Sequence, residues 1–363
     1  MGEATARCAV ASPMHFRIRN IMVPLARQPQ IPPAVQRETH MPNRLRVLFL
    51  PAHGLFKPWG EDVIAALGGR HDVRVFDSQQ PLVPQFEGVQ VVIDHGGSVG
   101  TREMLNAATS ARLWQILGTG LDHFDMDYWR SKKMPVANCP GPFSAAALAE
   151  CAMMFILMLA RQYPLAQARL QAGHYYEPLG RELEGLKLGL IGFGASAQAL
   201  ARRALPFGLK LSAIDIRDIG PDEARDYDLH FTGKPADMDR VIAESDFLSL
   251  HLHLNPETRG LIGARRFTLM KPTACLINVA RGALVDEAEL VNALTAGRLG
   301  GAGLDVYGQE PPDLNSPLFH LPNVVATPHI AGMTDGTSRR RARCAADNVD
   351  RIAAGLEPLY RVD

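Results

Sequence analysis

The stretch "KLGLIGFGASAQALARRA" constrains the fold of this chain more than any other. An apolar run ends in Gly192 and Gly194, and an alanine-rich helical segment from Ala195 to Leu205 follows at once. A strand that turns through two glycines into a helix is the geometry a dinucleotide site needs. The glycines let backbone approach a pyrophosphate, and the helix N-terminus offers free amides, here those of Ala195 and Ser196. The third position of the pattern is Ala197, a replacement that keeps helix and strand close. The spacing alone also fits an ordinary strand-to-helix turn, so a second mark is needed. Asp215 supplies it, closing the next apolar run "LKLSAID". A carboxylate there can accept from both ribose hydroxyls and repels a 2′-phosphate, which favours NAD over NADP. Arg217 and Arg202 keep NADP open, and a plain strand-end aspartate is the other reading of Asp215.

The same rhythm runs along most of the chain. "RVLFLPA", "VRVFD", "VQVVID" and "RLWQIL" read as strands, with helices at 59–67 and 101–108 between them. A long apolar helix spans 144–161. Strands "KLGLIGFG", "LKLSAID", "DFLSLHL", "ACLINVA", "GAGLDVY" and "NVVATPH" then alternate with helices, and a helix over 334–354 closes the chain. Such alternation predicts an α/β fold with parallel sheets in two blocks and a cleft between them. The 363 residues suffice for two domains.

Bulk properties narrow the function. Lys+Arg and Asp+Glu both number 38, so no net charge draws the chain to nucleic acid or to an anionic membrane. The five cysteines are scattered and form no Cys-x-x-Cys pair. That speaks against a disulfide framework or a zinc site and for a reducing, cytoplasmic setting. The most apolar run, "CAMMFILMLA", is about half of what crosses a bilayer. Residues 1–43 carry five arginines against two glutamates and show no period. They read as a disordered leader, a mis-set start before Met41, or a transit peptide, although serine is sparse.

Three polar residues stand where an open α/β sheet places its ligands, at strand ends. Arg281 follows "ACLINVA", Glu310 follows "GAGLDVY", and His329 follows "NVVATP". Each alone reads equally well as a salt bridge, a loop acid or a turn residue. Behind a dinucleotide turn they make a working set. Oxidising an alcohol by hydride removal also requires a base for the hydroxyl proton, and histidine titrates near neutrality. A carboxylate on its other nitrogen fixes the tautomer. An arginine binds a substrate carboxylate or polarises the carbonyl.

With those residues in place, the chain resembles the D-isomer-specific 2-hydroxyacid dehydrogenases. The resemblance rests on "GLKLGLIGFG", "DFLSLHLHLNPETRGLI", "LMKPTACLINVARGALVDEAELVNAL", "GAGLDVYGQEPP" and "TPHIAG", and more weakly on "QILGTGLDHFDM" and "MPVANCPGPFSAAALAE". It implies a Rossmann dinucleotide-binding domain, 144–330, inserted into a smaller flavodoxin-like substrate domain, 44–143 plus 331–363. It implies Arg281 as the group that orients a 2-oxo acid, and Glu310 paired with His329 as the acid/base. It places Gly192, Gly194, Ala195, Ser196, Asp215, His251, Thr258, Ala280 and Asp305 against NAD, with Asp305 near the nicotinamide carboxamide. In "DHGGSVG" it assigns Gly96, Gly97 and Ser98 to the substrate carboxylate. It implies a homodimer supported by the helix beginning near Ser144, a small-molecule 2-oxo or 2-hydroxy acid as partner, and no metal.

Several features depart from the family pattern. Ala195 and Ser196 replace its arginine and hydrophobic residue, which removes one pyrophosphate contact. His253 stands where proline is common, and its alternation with His251 suggests no third metal ligand. Two alternatives remain. One is a formate or phosphite dehydrogenase on this scaffold, with Glu310 opposing the formate reading. The other is an NADH-gated scaffold resembling the family's corepressor relatives.

Overall fold

The computed structural model describes residues 43–52, 56–96, 99–122 and 124–363. The expectation for the leader therefore falls almost wholly outside the described residues, as do Gly97 and Ser98 of the carboxylate loop. The first block runs β1 (Arg46–Leu50), α1 (Trp59–Leu67), β2 (Asp72–Val75), α2 (Leu82–Phe86), β3 (Val91–Asp94), α3 (Arg102–Ala107), β4 (Leu113–Ile116), α4 (Met126–Ser131) and β5 (Val136–Ala137). The second runs α5 (Ala145–Ala160), α6 (Tyr163–Gln171), β6 (Lys187–Ile191), α7 (Ala195–Ala204), β7 (Lys210–Ile214), α8 (Pro221–Asp226), β8 (Leu229–Gly233), α9 (Met238–Glu244), β9 (Phe247–Leu250), α10 (Ala264–Leu269), β10 (Cys275–Asn278), α11 (Glu287–Thr295), β11 (Gly301–Leu304), β12 (Val324–Ala326) and α12 (Asp335–Ala353).

Two sheets result. One has five strands in the order β2-β1-β3-β4-β5, the other seven in the order β12-β11-β10-β9-β6-β7-β8. All the named strand pairs are parallel. Central strands of a parallel sheet are covered on both faces, which is why β3, β4, β9 and β10 are buried at every position. The order of the larger sheet reverses direction between β6 and β9. At such a switch the two loops leaving the strand ends diverge and open a crevice.

Helix ends are fixed locally. Thr101, Asp125, Asp286 and Thr334 each accept a backbone N–H in the first turn of α3, α4, α11 and α12. Helix α5 packs against α7 and the seven-stranded sheet, with Phe155, Ile156 and Ala149 fully enclosed. After the last strand the chain returns to the smaller sheet. Ala342, Ala345 and Val349 of α12 share a core with Val47 and Phe49 of β1 and Val63 of α1. Among the described residues no single helix is long and apolar enough to cross a membrane. The bent pair α5 and α6 passes that test only jointly, and α5 is core.

Candidate active site

The glycine turn lies at the switch between β6 and β9. Gly192 has φ +86°, and a Cβ there would come within 2.5 Å of the His251 carbonyl oxygen, so only glycine fits. Gly194 precedes α7 in extended conformation, and nothing lies within 4 Å of where its side chain would be. Gly194 and the first residues of α7, Ala195 and Ser196, line the open space there. Asp215 stands at the lip of this turn. One carboxylate oxygen accepts from the Phe193 N–H at 2.6 Å, the other from the Arg217 N–H at 3.0 Å. Arg217 is committed to Glu223, with two contacts of 2.7 Å, and to the Phe193 carbonyl. Arg202 donates to the Tyr227 hydroxyl.

A cavity of about 550 Å³ opens here. Its walls include Gly194, Ala195, Ser196, His251, Ala280 and Arg281 from the larger sheet, and Thr119, Gly120, Asp122 and Asn138 from the smaller one. The ring of His251 is held between two hydroxyls, Ser196 on Nδ1 and Ser249 on Nε2, both at 2.9 Å. Enclosure pushes its pKa down to about 3, so it lines the cavity as a neutral ring. Thr258 is not on the cavity wall. Its hydroxyl closes the turn at Asn255 and donates to the His253 carbonyl. Among the described residues no group of three His, Cys, Asp or Glu is placed to hold a metal ion.

Arg281 follows β10 and is braced by Asn278, whose amide donates to the Arg281 carbonyl at 2.8 Å. Gly282 is required for space rather than for a turn: a Cβ there would lie 1.9 Å from the Tyr307 carbonyl. The Arg281 side chain reaches across the cavity. Its Nε donates to both oxygens of Asp122, at 3.0 and 3.1 Å, and Nη1 donates to the Ala280 carbonyl. Asp122 thus holds one edge of the guanidinium, and nothing in "GTGLDHFD" as a sequence places that aspartate opposite β10.

Glu310 and His329 meet as expected. His329 Nδ1 lies 2.6 Å from one Glu310 oxygen, and the other accepts from the Tyr307 N–H at 3.0 Å. The bond to Glu310 raises the His329 pKa against the opposing effect of burial. Burial acts to raise the Glu310 carboxyl, but the His329 bond and charge together with the Tyr307 amide bring it below its ordinary value. Arg281 is close enough to act electrostatically on both.

His329 sits at φ +54°, a conformation that strains a non-glycine residue. Asp305 imposes it. That carboxylate is 1% exposed and accepts from Thr327 Oγ1 at 2.6 Å, the Ile330 N–H at 2.7 Å and the Ala331 N–H at 2.8 Å. It grips the chain on both sides of His329 and does not line the cavity. Burial raises its pKa, opposed by these three bonds.

Of the three residues assigned to the substrate in "DHGGSVG", Gly96 alone is described. The Gly96 N–H is turned back onto Asp94 at 3.2 Å, and Gly100 N–H binds the same carboxylate at 2.9 Å. The Gly96 amide is therefore spent on the loop itself. Asp94 is fully buried and also accepts from the Trp114 indole. The aspartate at the strand end thus holds the amides of Gly96 and Gly100.

Comparison with known proteins follows this geometry. Residues 153–331 match the D-isomer specific 2-hydroxyacid dehydrogenase, NAD binding domain. A hydroxypyruvate reductase of Thermotoga maritima is 35% identical over 268 residues, 73% of this chain and 84% of that protein. A glyoxylate/hydroxypyruvate reductase B of Escherichia coli is 32% identical over 318 residues, 85% and 96% of the two chains. The crystal structure of a D-lactate dehydrogenase from Aquifex aeolicus, complexed with NAD and lactic acid, superposes with a TM-score of 0.72 at 27% identity. It covers 85% of this chain and 96% of that one.

Proposed function

Because the chain belongs to the D-isomer specific 2-hydroxyacid dehydrogenase family, NAD-dependent oxidoreductases acting on CH–OH, we propose that Arg281, Glu310 and His329 interconvert a small D-2-hydroxy acid and its 2-oxo acid. The residues at the glycine turn fit NAD. Gly192 leaves room that a Cβ would fill, Ala195 and Ser196 of α7 line the cavity, and each Asp215 oxygen keeps a lone pair for a ribose hydroxyl. Arg217 is occupied by Glu223, which supports NAD over NADP. Equal turnover with NADPH would sink that preference.

When bound, the nicotinamide supplies or accepts the hydride. The chain's own groups handle charge and proton. Arg281 holds the substrate carboxylate with the edge that Asp122 leaves uncovered. In the reducing direction His329 gives its Nε2 proton to the carbonyl oxygen. Glu310 keeps Nδ1 protonated and stabilises the imidazolium until that transfer. The 2.6 Å contact between His329 and Glu310, at two neighbouring strand ends beside Arg281, carries this reading. A purely NADH-gated scaffold could carry the same acid–histidine pair, so turnover is what separates the two readings.

We place the substrate-binding segment at 44–143 plus 331–363 and the dinucleotide segment at 144–330. The two-sheet arrangement and the return of α12 to the smaller sheet support this division. A homodimer is supported by α6 and the turn after it rather than by the enclosed face of α5. Tyr163, Leu170, Tyr175, Tyr176 and Leu179 are all exposed there. Light scattering at the monomer mass would contradict it. Four described free thiols suit a reducing, cytoplasmic setting.

The test of function is NADH consumption with a panel of 2-oxo acids, alongside Arg281→Ala and His329→Ala. Turnover on at least one acid that both variants lose supports the reading. NADH binding with no turnover on any acid brings the scaffold forward.

A further inference from the structure

Helix α12 carries three consecutive arginines after its first turn; Arg339 is exposed, and Arg340 and Arg341 are half-buried. Arg339 pairs with Asp335, and Arg340 donates to the Phe143 carbonyl. Arg341 differs. Its Nε is enclosed and has no hydrogen-bond partner, and among the described residues no carboxylate pairs with its guanidinium. Among the described residues its side chain makes one hydrogen bond, a long one, Nη2 to Thr119 Oγ1 at 3.4 Å. The guanidinium also lies 5.8 Å from the Trp59 ring, near the outer limit of a useful cation–π contact. A half-buried guanidinium whose enclosed Nε has no acceptor is costly, and a distant indole offsets little of that cost. Burial lowers the Arg341 pKa, and Arg340 and Arg281 add repulsion.

The position of this charge matters more than its cost. Thr119 lines the main cavity, and its hydroxyl proton is already given to the Cys139 carbonyl. The threonine therefore meets Arg341 as an acceptor and shields it by one hydrogen bond. Trp59 packs against the ring of His95 at a centroid distance of 4.9 Å, and His95 directly follows Asp94 at the end of β3. Arg341 thus stands directly behind Thr119, one residue back from the smaller-sheet wall of the cavity, while Arg281 comes from the larger sheet and lines the cavity itself. Arg281 has Asp122 beside it, and among the described residues no carboxylate pairs with Arg341. If Arg281 holds the carboxylate next to the reacting carbon, the remainder of the substrate extends toward the smaller sheet.

We propose that Arg341 is a specificity-determining residue that receives a second anionic group on the substrate, so that the preferred substrate is a 2-oxo acid with an anion at each end. This rests on the dehydrogenase reading above. A carboxylate and a phosphate share the required chemistry, and both pair bidentately with a guanidinium.

The experiment compares kcat/KM with NADH for two dicarboxylic acids, oxaloacetate and 2-oxoglutarate, for phosphohydroxypyruvate, and for the monoanions glyoxylate and hydroxypyruvate. It uses wild type, Arg341→Met and Arg341→Lys. The wild type is expected to prefer one dianion, and which one separates carboxylate from phosphate. The ratio of dianion to monoanion kcat/KM should fall on the order of 100-fold in Arg341→Met, with Arg341→Lys intermediate. A wild-type preference for monoanions overturns the proposal, and that arm decides even if the methionine variant does not fold. A ratio that stays within about threefold in a folded Arg341→Met also overturns it. Turnover confined to monoanions removes this inference alone. No turnover on any acid removes the dehydrogenase assignment with it.

Discussion

Asp305→Asn tests how the fold holds its acid/base. Asparagine has the shape of aspartate but only one acceptor oxygen. The carboxylate accepts the Thr327 hydroxyl and the Ile330 amide on one oxygen and the Ala331 amide on the other. Thr327 can reverse its hydroxyl and accept from the new NH2. The two amides cannot reverse. Whichever way the asparagine is turned, either Ile330 or Ala331 faces an N–H. A buried amide left without an acceptor costs about 1–3 kcal/mol, and the surviving bonds weaken as the charge is lost. Against this, burial disfavours the native carboxylate, so a neutral side chain recovers part of the loss. The net cost is about 2 kcal/mol. The strain at His329, φ +54°, is released by the same change, so the loop relaxes away from its native position. If that cost falls on the placement of His329, turnover drops about 30-fold. If it falls on the whole fold, Tm drops by several degrees. The assay is kcat and thermal unfolding on the same preparation. An Asp305→Asn protein with wild-type Tm and wild-type kcat would refute the clamp.

Two other predictions concern neighbouring parts of the site. Glu310 raises the His329 pKa, so the protonated histidine needed for reduction is present at low pH and lost as pH rises through that raised value. Reductive kcat/KM should therefore fall on the alkaline side, and Glu310→Gln should move the fall to lower pH; an unmoved profile would remove Glu310 from this role. Gly192→Ala combines a left-handed φ with a Cβ 2.5 Å from the His251 carbonyl. It should raise the Kd for NADH at least tenfold with the fold retained, and unchanged NADH binding by fluorescence would contradict the assignment of the turn.

Much of this was legible because parallel sheets write themselves plainly. Buried strands such as "LWQI" and "CLIN" are continuous apolar runs, and the helices over 59–67 and 145–160 carry clear boundaries. Elements with little burial left no such trace. Strand β8 lies at a sheet edge and buries no residue completely, α6 buries none, and β5 is two residues long. The strand-end residues were legible for a similar reason: a charge after an apolar run is visible in one dimension. Partners brought by the other sheet were not. Asp122 is opposite Arg281 only because β4 and β10 place their following loops on one cavity, and Arg341 reads as one more charge on an amphipathic helix until α12 is seen against Trp59. Asp94 carries no mark beyond that of any strand-end aspartate, and Asp305 is assigned to the nicotinamide by resemblance alone; only the bonds they accept show that they hold the backbone beyond their strands.

The most direct test of the central claim separates binding from proton transfer in His329→Gln. The variant keeps a polar side chain of similar reach but cannot act as an acid near neutrality. NADH binding followed by fluorescence should stay within a few-fold of wild type, while the single-turnover rate of NADH oxidation on a preferred 2-oxo acid should drop at least 100-fold. A His329→Gln enzyme that binds NADH and turns over at nearly the wild-type rate would show that the proton comes from elsewhere.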